Sequence, residues 1–313
     1  MKAIILKGVG GVENLVKSNL PVHELIDNEV LIKTEAIGIN PIEIKTRKGL
    51  GAAAILKEFD PIILGWDVSG IIIRTGSKVS EFKKGDEVFG MVNFPGHGQT
   101  YAEYVAVPDT HITLKPANIS HEEAAAASLA AMTAWQILKE KVGIKHGDRV
   151  LIHSAAGGVG HYAVQMSRHL GADVAGTGSG KNKDFILGLG ASKFIDYEKD
   201  RFEDILNDMD FVLDSIGDEY TTRSFKVLKP GGKIICMPSG TSLNITEQAA
   251  RLGLIGDHFR VKSNSGNMKE ISDLLEKGIV KSHISKSFSL DEMQEAHQQI
   301  ETGKTKGKIV IKL

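Results

Sequence analysis

Residues 150–160 constrain the fold of this chain more than any other stretch. They read VLIHSAAGGVG, a short aliphatic and β-branched run that leads into a glycine cluster and a helix-like segment at residues 159–169. A strand, a tight turn and a helix in this order present free N–H groups and a partial positive charge at the helix N-terminus. Glycines in the turn let a pyrophosphate approach the backbone closely.

This stretch matches the dinucleotide-binding pattern G-x-G-x-x-G imperfectly. Ala155 takes the first glycine position, Gly157 the second and Gly160 the third. The pattern with its flanking strand and helix predicts a dinucleotide site, and the simpler alternative is an ordinary strand-to-helix turn.

Strands and helices alternate around this stretch. The predicted strands are residues 149–153, 173–177, 193–196, 211–214 and 233–237, and the predicted helices are residues 159–170, 183–189, 201–207 and 220–227. Such alternation is typical of an α/β fold with a doubly wound parallel sheet of the Rossmann type.

The rest of the chain has a different pattern. Short β-like runs separated by turn signals, at residues 2–7, 29–36, 70–74, 87–91 and 102–107, predict a compact β-barrel-like domain. Two helices are predicted at residues 124–131 and 133–140, and the mixed tail is expected to rejoin the barrel. We therefore predict a discontinuous domain of residues 1–120 and 262–313, a second domain of residues 121–261, and a ligand in the cleft between them.

Composition excludes several classes of protein. The 313 residues carry a net charge of −1, which argues against a nucleic-acid or anionic-membrane partner. Cys236 is the single cysteine, so no disulfide forms within the chain and a reducing compartment is expected. The N-terminus is too short and interrupted for a signal peptide, and no apolar run reaches about 18 residues. We therefore expect a cytoplasmic protein with no membrane contact.

Ordered motifs along nearly the whole chain carry a family resemblance. They are EAIGINP at 35–41 with Arg47, GWDVSG at 65–70, KGDEVFG at 84–90, YAEYV at 101–105, the glycine cluster, LGA at 189–191, IDY at 195–197, DSIG at 214–217 and KPGG at 229–232. The chain resembles the medium-chain dehydrogenase/reductase superfamily, specifically its zinc-free quinone oxidoreductase (zeta-crystallin-like) branch. The resemblance implies a GroES-like β-barrel domain together with a Rossmann domain that binds NADPH.

The residues that bind catalytic zinc in other members of that superfamily are replaced. Asn40 stands where the first cysteine ligand would fall and Trp66 where the histidine ligand would stand, and the four-cysteine structural loop is absent. We therefore expect no metal. Without a Lewis acid, an electron-poor acceptor is favoured, because a quinone or an alkene conjugated to a carbonyl takes a hydride directly.

The segment after the second Rossmann strand predicts which cofactor binds. Enzymes that use NAD place an acid about 20 residues after the glycines, and Gly178 occupies that position here. Ser179 and Lys183 supply a hydroxyl donor and a cation for a 2′-phosphate, and by resemblance Tyr197 lies against it. This predicts NADPH, and the alternative is a polar surface loop with solvated lysines. The predicted cofactor-binding residues are Ala156, Gly157, Gly158, Val159, Ser179, Lys183, Tyr197, Ile216, Met237 and Ser239.

Three residues are predicted near the chemistry. Asn40 is assigned to the nicotinamide ribose or the substrate oxygen, with a turn-stabilising role as the alternative. By resemblance Thr133 helps to hold the nicotinamide carboxamide, unless it only caps a helix. Arg47 anchors an anionic group or the substrate carbonyl, or else forms a structural ion pair with Glu43. Asp67 is a candidate to orient Arg47.

Two positions leave the mechanism open. Enoyl-thioester reductases of the superfamily carry a tyrosine, thought to protonate the enolate, where this chain has Gly51. Tyr101 is a distant candidate for the missing proton donor. Trp66 belongs either to the barrel core or to the wall of the substrate cleft.

The residues thus predict an NADPH-dependent oxidoreductase that reduces quinones without zinc. An alkenal or enone reductase is the close alternative, and a non-catalytic NADPH-binding protein is a third. By resemblance the chain forms a homodimer, with the apolar residues 243–256 as the expected contact.

Overall fold

The computed structural model describes residues 1–238 and 240–313. In chain order the strands are β1 (Lys2–Leu6), β2 (Leu15–Asn19), β3 (Glu29–Ile39), β4 (Asp67–Thr75), β5 (Glu87–Met91), β6 (Tyr104–Pro108), β7 (Ile112–Leu114), β8 (Arg149–Ile152), β9 (Asp173–Gly178), β10 (Lys193–Asp196), β11 (Met209–Asp214), β12 (Leu228–Cys236), β13 (Ile255–His258), β14 (Ile284–Ser289) and β15 (Lys308–Lys312). The α-helices are α1 (Pro41–Arg47), α2 (Ala53–Leu56), α3 (His121–Trp135), α4 (Gly160–His169), α5 (Lys183–Gly188), α6 (Glu219–Ser224), α7 (Ile245–Arg251), α8 (Ser265–Glu276) and α9 (Met293–Glu301).

These elements form two compact units. Unit 1 comprises residues 1–132 and 261–313, and unit 2 comprises residues 133–260. The predicted domain limits at 120 and 262 stay a prediction. The first limit was placed where α3 begins, whereas the division between the units falls inside that helix because its first twelve residues pack with unit 1.

Unit 2 is built on a six-stranded parallel sheet in the order β10-β9-β8-β11-β12-β13. The middle residues of the central strands β8 and β11 are apolar because both faces of the sheet are covered. Leu151 and Val212 are neighbours on one face, Val150 and Phe211 are neighbours on the other, and all four are fully buried. Strand order reverses between β8 and β11, and in such sheets ligands bind at the carboxyl ends of the strands near this point. The predicted Rossmann sheet is confirmed.

Unit 1 contains a seven-stranded sheet in the order β14-β15-β3-β4-β5-β7, with β6 also paired to β3. All of these pairs are antiparallel except β14 with β15. The tail strand β15 pairs with β3, with Ile309 opposite Ile39, so the end of the chain belongs to the same sheet as its beginning. Strands β1 and β2 form a separate antiparallel pair.

The structure corrects several predicted elements. The two helices expected at residues 124–131 and 133–140 are one continuous helical segment, because no residue interrupts the alanine-rich run; α3 continues as a π-helical stretch over Gln136–Val142. The helix predicted at residues 201–207 is only a 3-10 turn at Phe202–Asp204, where Glu203 is held by Arg223 at 2.8 Å. Strands β2, β7 and β13 and helices α1, α2 and α7 were not predicted. No helix within the described residues is long and apolar enough to cross a membrane.

Candidate active site

The predicted cofactor residues of unit 2 lie at one edge of its sheet. Each follows the carboxyl end of a different parallel strand: the glycine cluster follows β8, Ser179 and Lys183 follow β9, Tyr197 follows β10, Ile216 follows β11 and Met237 follows β12. The predicted residue Ser239 lies outside the described residues. The fold therefore brings segments far apart in sequence to the edge where dinucleotides bind in sheets of this order.

The loop between β8 and α4 forms a cradle that requires glycine at position 160 and is tightly packed at position 157. A Cβ atom on Gly160 would lie 2.2 Å from the carbonyl oxygen of Ser154, and one on Gly157 would lie 3.1 Å from the same oxygen. The backbone N–H groups of Gly158 and Val159 donate to no acceptor within the described residues. Two unpartnered donors at the start of a ten-residue helix fit a pyrophosphate.

A buried histidine, which the sequence analysis missed, supports this loop. His153 is fully buried, with Nδ1 3.2 Å from the Thr177 hydroxyl and Nε2 2.9 Å from the Ser224 hydroxyl. Its carbonyl oxygen accepts a hydrogen bond of 2.9 Å from Ser215. Burial lowers the pKa of His153 to about 4, so the ring is neutral near pH 7. His153, the residue after β8, therefore connects β8 to β9 and α6 through these hydrogen bonds.

The last residue of β9, where enzymes that use NAD carry an acid, is Gly178. A Cβ atom on Gly178 would lie 2.5 Å from the Ile186 methyl of α5, so close packing explains the glycine. The Ser179 hydroxyl accepts a hydrogen bond of 3.2 Å from the Asn182 amide, which leaves its own proton free to donate. Lys183 is exposed and has no ion-pair partner within the described residues. Tyr197 is 46% exposed and its N–H donates to the Gly178 carbonyl.

Unit 1 contains a fully buried polar cluster that we call the Asn40 cluster, formed by Asn40, Glu43, Asp67 and Lys308. The Asn40 amide donates to Asp67 at 2.9 Å and to Glu43 at 3.3 Å, and its oxygen accepts from the Lys308 ammonium. Lys308 also donates to the Ile39 carbonyl at 3.0 Å and lies 3.5 Å from Asp67. All four side chains are at most 2% exposed.

Local sequence explains one half of this cluster. Pro41 occupies the first turn of α1, and Glu43 accepts from the Asn40 N–H at 2.9 Å, which is the capping arrangement expected of an N-cap followed three residues later by Glu. The other half comes from distant strands, because Asp67 begins β4 and Lys308 begins β15. The assignment of Asn40 to cofactor or substrate stays a prediction, with both ends of its amide already bonded inside unit 1.

Electrostatics in the Asn40 cluster are unbalanced. Two carboxylates and one ammonium carry a net charge of −1 when all are ionised, in a site without water access. Burial, then the nearby Asp67 charge, raises the pKa of Glu43 to about 8. Burial also raises the pKa of Asp67, opposed by Lys308 and Asn40. Glu43 is therefore protonated near pH 7, which removes the excess charge.

Replacement of Glu43 by glutamine is expected to reduce the loss of stability that wild type shows between pH 4.5 and about pH 8. From pH 4.5 to about 8 the folded state holds a proton that the unfolded chain has released. Stability therefore falls as pH rises through this window, by about 1.4 kcal/mol per pH unit. Glutamine keeps an acceptor for the Asn40 N–H without titrating, so urea unfolding followed across the window is expected to show a shallower slope than wild type, with Asp67 contributing to what remains.

The matched control for this measurement is Glu295→Gln, because Glu295 is an exposed residue of α9. It is expected to keep the wild-type slope. Equal slopes in wild type and Glu43→Gln would show that Glu43 is ionised in the folded protein.

Arg47 has partners other than those predicted. It is 1% exposed, and it donates to Glu301 at 2.6 Å and to the Gly10 carbonyl at 2.8 Å. The suggested ion pair with Glu43 and the suggested orientation by Asp67 are both wrong. The i,i+4 rule pointed to Glu43, but that carboxyl caps α1 and faces the Asn40 cluster, while Glu301 approaches from α9.

The structure also places three other residues named in the sequence analysis, which are Trp66, Tyr101 and Thr133. Trp66 is fully buried in unit 1, donates to the Gly96 carbonyl at 2.7 Å and packs edge-on against Phe94, so its place is in the core. The Tyr101 hydroxyl is fully buried and lies 3.0 Å from Nε2 of His297, and burial raises the pKa of Tyr101 well above its usual value. Thr133 lies inside α3 and is 9% exposed, so it is not a helix N-cap.

Within residues 1–238 and 240–313, no group of three or more His, Cys, Asp or Glu side chains is arranged to hold a metal ion. The expectation that catalysis needs no zinc is not tested by this finding and stays a prediction.

Comparisons with known proteins show which family models and which proteins this chain resembles. Residues 26–117 match the model of the alcohol dehydrogenase GroES-like domain, and residues 189–311 match that of the zinc-binding dehydrogenase family. A 2-methylene-furan-3-one reductase from Solanum lycopersicum is 35% identical over 99% of this chain and 79% of its own length. An NADPH-dependent alkenal/one oxidoreductase from Arabidopsis thaliana is 32% identical over the same shares. The structure of a quinone oxidoreductase from Coxiella burnetii has a TM-score of 0.95 and 36% identity, over 100% of this chain and 99% of the other.

A Rossmann sheet with a glycine cradle, together with a GroES-like domain, defines an oxidoreductase that binds a nicotinamide nucleotide. The chain belongs to the medium-chain dehydrogenase/reductase superfamily, which confirms the resemblance seen in its motifs.

Proposed function

We propose that this protein is an NADPH-dependent oxidoreductase that reduces quinones without catalytic zinc. The observation that carries the proposal is the strand-end site of unit 2, with its glycine cradle and a Ser179–Lys183 loop that has no acid at Gly178. When bound, NADPH supplies a hydride. The unpartnered N–H groups of Gly158 and Val159 would hold the pyrophosphate, and Ser179 and Lys183 would hold the 2′-phosphate by donating to it.

The acceptor is proposed from chemistry and from similar proteins. Asn40 and Trp66 occupy positions that hold zinc ligands in other members of the superfamily, and Cys236 is the single cysteine. An enzyme that only positions the cofactor and the acceptor can reduce a quinone, because a quinone accepts a hydride without a Lewis acid. The Coxiella burnetii protein of similar structure is a quinone oxidoreductase.

Reduction of an activated C=C bond is the second candidate. It is favoured by two similar proteins, the 2-methylene-furan-3-one reductase and the alkenal/one oxidoreductase. This reaction needs a proton as well as a hydride, and Gly51 supplies no proton.

Steady-state oxidation of NADPH with naphthoquinones, orthoquinones and alkenals would rank the two reactions. Tight NADPH binding with no turnover of any acceptor would instead indicate a non-catalytic protein, and stoichiometric zinc on elemental analysis would contradict the zinc-free proposal.

Replacement of Lys183 by glutamine is expected to raise the KM for NADPH about tenfold and leave the KM for NADH unchanged. A charge-assisted hydrogen bond to a phosphate contributes about 1.5–3 kcal/mol at most, and exposure of Lys183 reduces this. Lys193→Gln removes an exposed lysine from the start of β10 and is the control. An equal loss with both cofactors would exclude a role in 2′-phosphate binding.

We further propose a homodimer formed through the β13 edge of the unit 2 sheet. Strand β13 is the last strand of the sheet, and its outer edge pairs with no other strand among the described residues. Leu243, Leu252 and Ile255 around it are 77%, 60% and 55% exposed. Light scattering is expected to give twice the chain mass, and Ile255→Lys to give the monomer. A monomeric wild type would contradict the proposal.

A cytoplasmic location is proposed from cysteine chemistry. Cys236 is buried and unpaired, which suits a reducing compartment. Fractionation of cells that express the natural gene tests it, and recovery in an organelle fraction would contradict it.

A further inference from the structure

An acidic side chain lies beside the loop proposed to hold the 2′-phosphate, although the loop itself lacks one. Asp196 ends β10, which pairs in parallel with β9 so that Asp196 stands opposite Gly178. Its Oδ2 lies 2.7 Å from the position that a Cβ atom on Gly180 would take. The carboxylate therefore lies next to Gly180 of the Ser179–Lys183 loop.

The partners of Asp196 leave much of its charge uncompensated. Oδ1 accepts from the Glu198 N–H at 3.2 Å, which forms a local turn. The ion-pair partner of Asp196 within the described residues is Lys199, whose Nζ lies 3.7 Å from Oδ2 and whose side chain is 77% exposed. An ion pair of that length and exposure contributes little. Asp196 itself is 6% exposed, so solvent screens its charge only partly.

We propose that Asp196 determines how strongly this enzyme prefers NADPH to NADH. The Asp196 carboxylate lies on the strand next to β9, close to Gly180, so its negative charge repels a 2′-phosphate held by the Ser179–Lys183 loop. The inference rests on the proposed NADPH function. Lys183 and Ser179 attract the 2′-phosphate, whereas Asp196 repels it. The preference for NADPH over NADH is the difference between this attraction and this repulsion.

The experiment compares Asp196→Asn with wild type by calorimetric titration of two cofactor fragments, 2′,5′-ADP and 5′-AMP. Asparagine keeps an oxygen for the Glu198 N–H, so the turn is preserved. We expect Asp196→Asn to bind 2′,5′-ADP about fivefold more tightly at low salt, equivalent to about 1 kcal/mol. The gain is expected to shrink as salt is added, while the affinity for 5′-AMP stays the same or falls.

Asp200→Asn is the matched control, because Asp200 is exposed, lies four residues away and contacts Asp196 only through its backbone N–H. It is expected to change neither affinity by more than about twofold. An equal change for both fragments in Asp196→Asn, or no change, would overturn the inference and leave the NADPH proposal intact. A wild type that binds neither fragment would overturn the NADPH proposal and the inference together.

Discussion

NADPH binding is expected to weaken by roughly tenfold or more when Gly160 is replaced by alanine, and the unfolding free energy to fall by about 1–3 kcal/mol. A Cβ atom there would lie 2.2 Å from the Ser154 carbonyl oxygen and 2.9 Å from the Ala155 Cα. Both contacts are backbone atoms, so the loop between β8 and α4 must shift as a whole. That shift moves the N–H groups of Gly158 and Val159, which we propose to bind the pyrophosphate.

Gly188→Ala is the matched control for this variant. Gly188 also lies in a helix of unit 2, and a Cβ atom there meets no other atom within 4 Å. Fluorescence titration with NADPH and urea unfolding are expected to show wild-type affinity and equal or slightly higher stability. Unchanged NADPH affinity in Gly160→Ala would show that this loop does not hold the cofactor.

Lys308→Met is expected to cost about 3–5 kcal/mol of unfolding free energy, because within the described residues it removes the one cation of the Asn40 cluster. Two buried carboxyl groups then share one site with no positive partner. The Asn40 oxygen and the Ile39 carbonyl also lose their donor. Urea unfolding near pH 7 measures the loss, which is expected to grow at alkaline pH as Glu43 ionises.

Lys312→Met is the control, because Lys312 lies on the same strand β15, is 67% exposed and pairs with Glu122 at the surface. Its expected cost is below about 1 kcal/mol. Adding Asp67→Asn to Lys308→Met is expected to recover part of the stability, since the cation and one anion are then removed together. A Lys308→Met protein as stable as wild type would contradict the charge balance that we assign to the cluster.

Much of the fold was predictable because its signals are local. Aliphatic runs bounded by turn residues predicted the parallel strands of unit 2, and β10 and β5 were placed with their observed limits. Strand β13 was missed because it is short and partly exposed, with Ile255 pointing to solvent. The alanine-rich residues of α3 predicted helix, but the expected break did not exist because nothing in that run disfavours helix.

The candidate sites were predictable to different degrees. The carboxyl ends of parallel strands lie at the same edge of a sheet. The predicted strand ends were therefore enough to predict that the cofactor residues lie at one edge. The ion-pair and hydrogen-bond partners of Arg47 and Asn40 could not be predicted from the sequence. Glu301 pairs with Arg47 across 254 positions, and Lys308 reaches Asn40 across 268. Ion pairs at that separation have no signature in sequence spacing.

By itself the sequence determined the dinucleotide cradle, since the glycines, the preceding strand and the following helix are contiguous and each has a local physical cause. Tertiary structure decided what surrounds these segments. It buried Lys308 against two carboxyl groups, gave Glu43 a pKa of about 8, and set Asp196 against a loop that has no acid of its own. The reason is that burial and charge depend on which strands become neighbours, whereas the turn and helix geometry of the cradle depends on residues only a few positions apart.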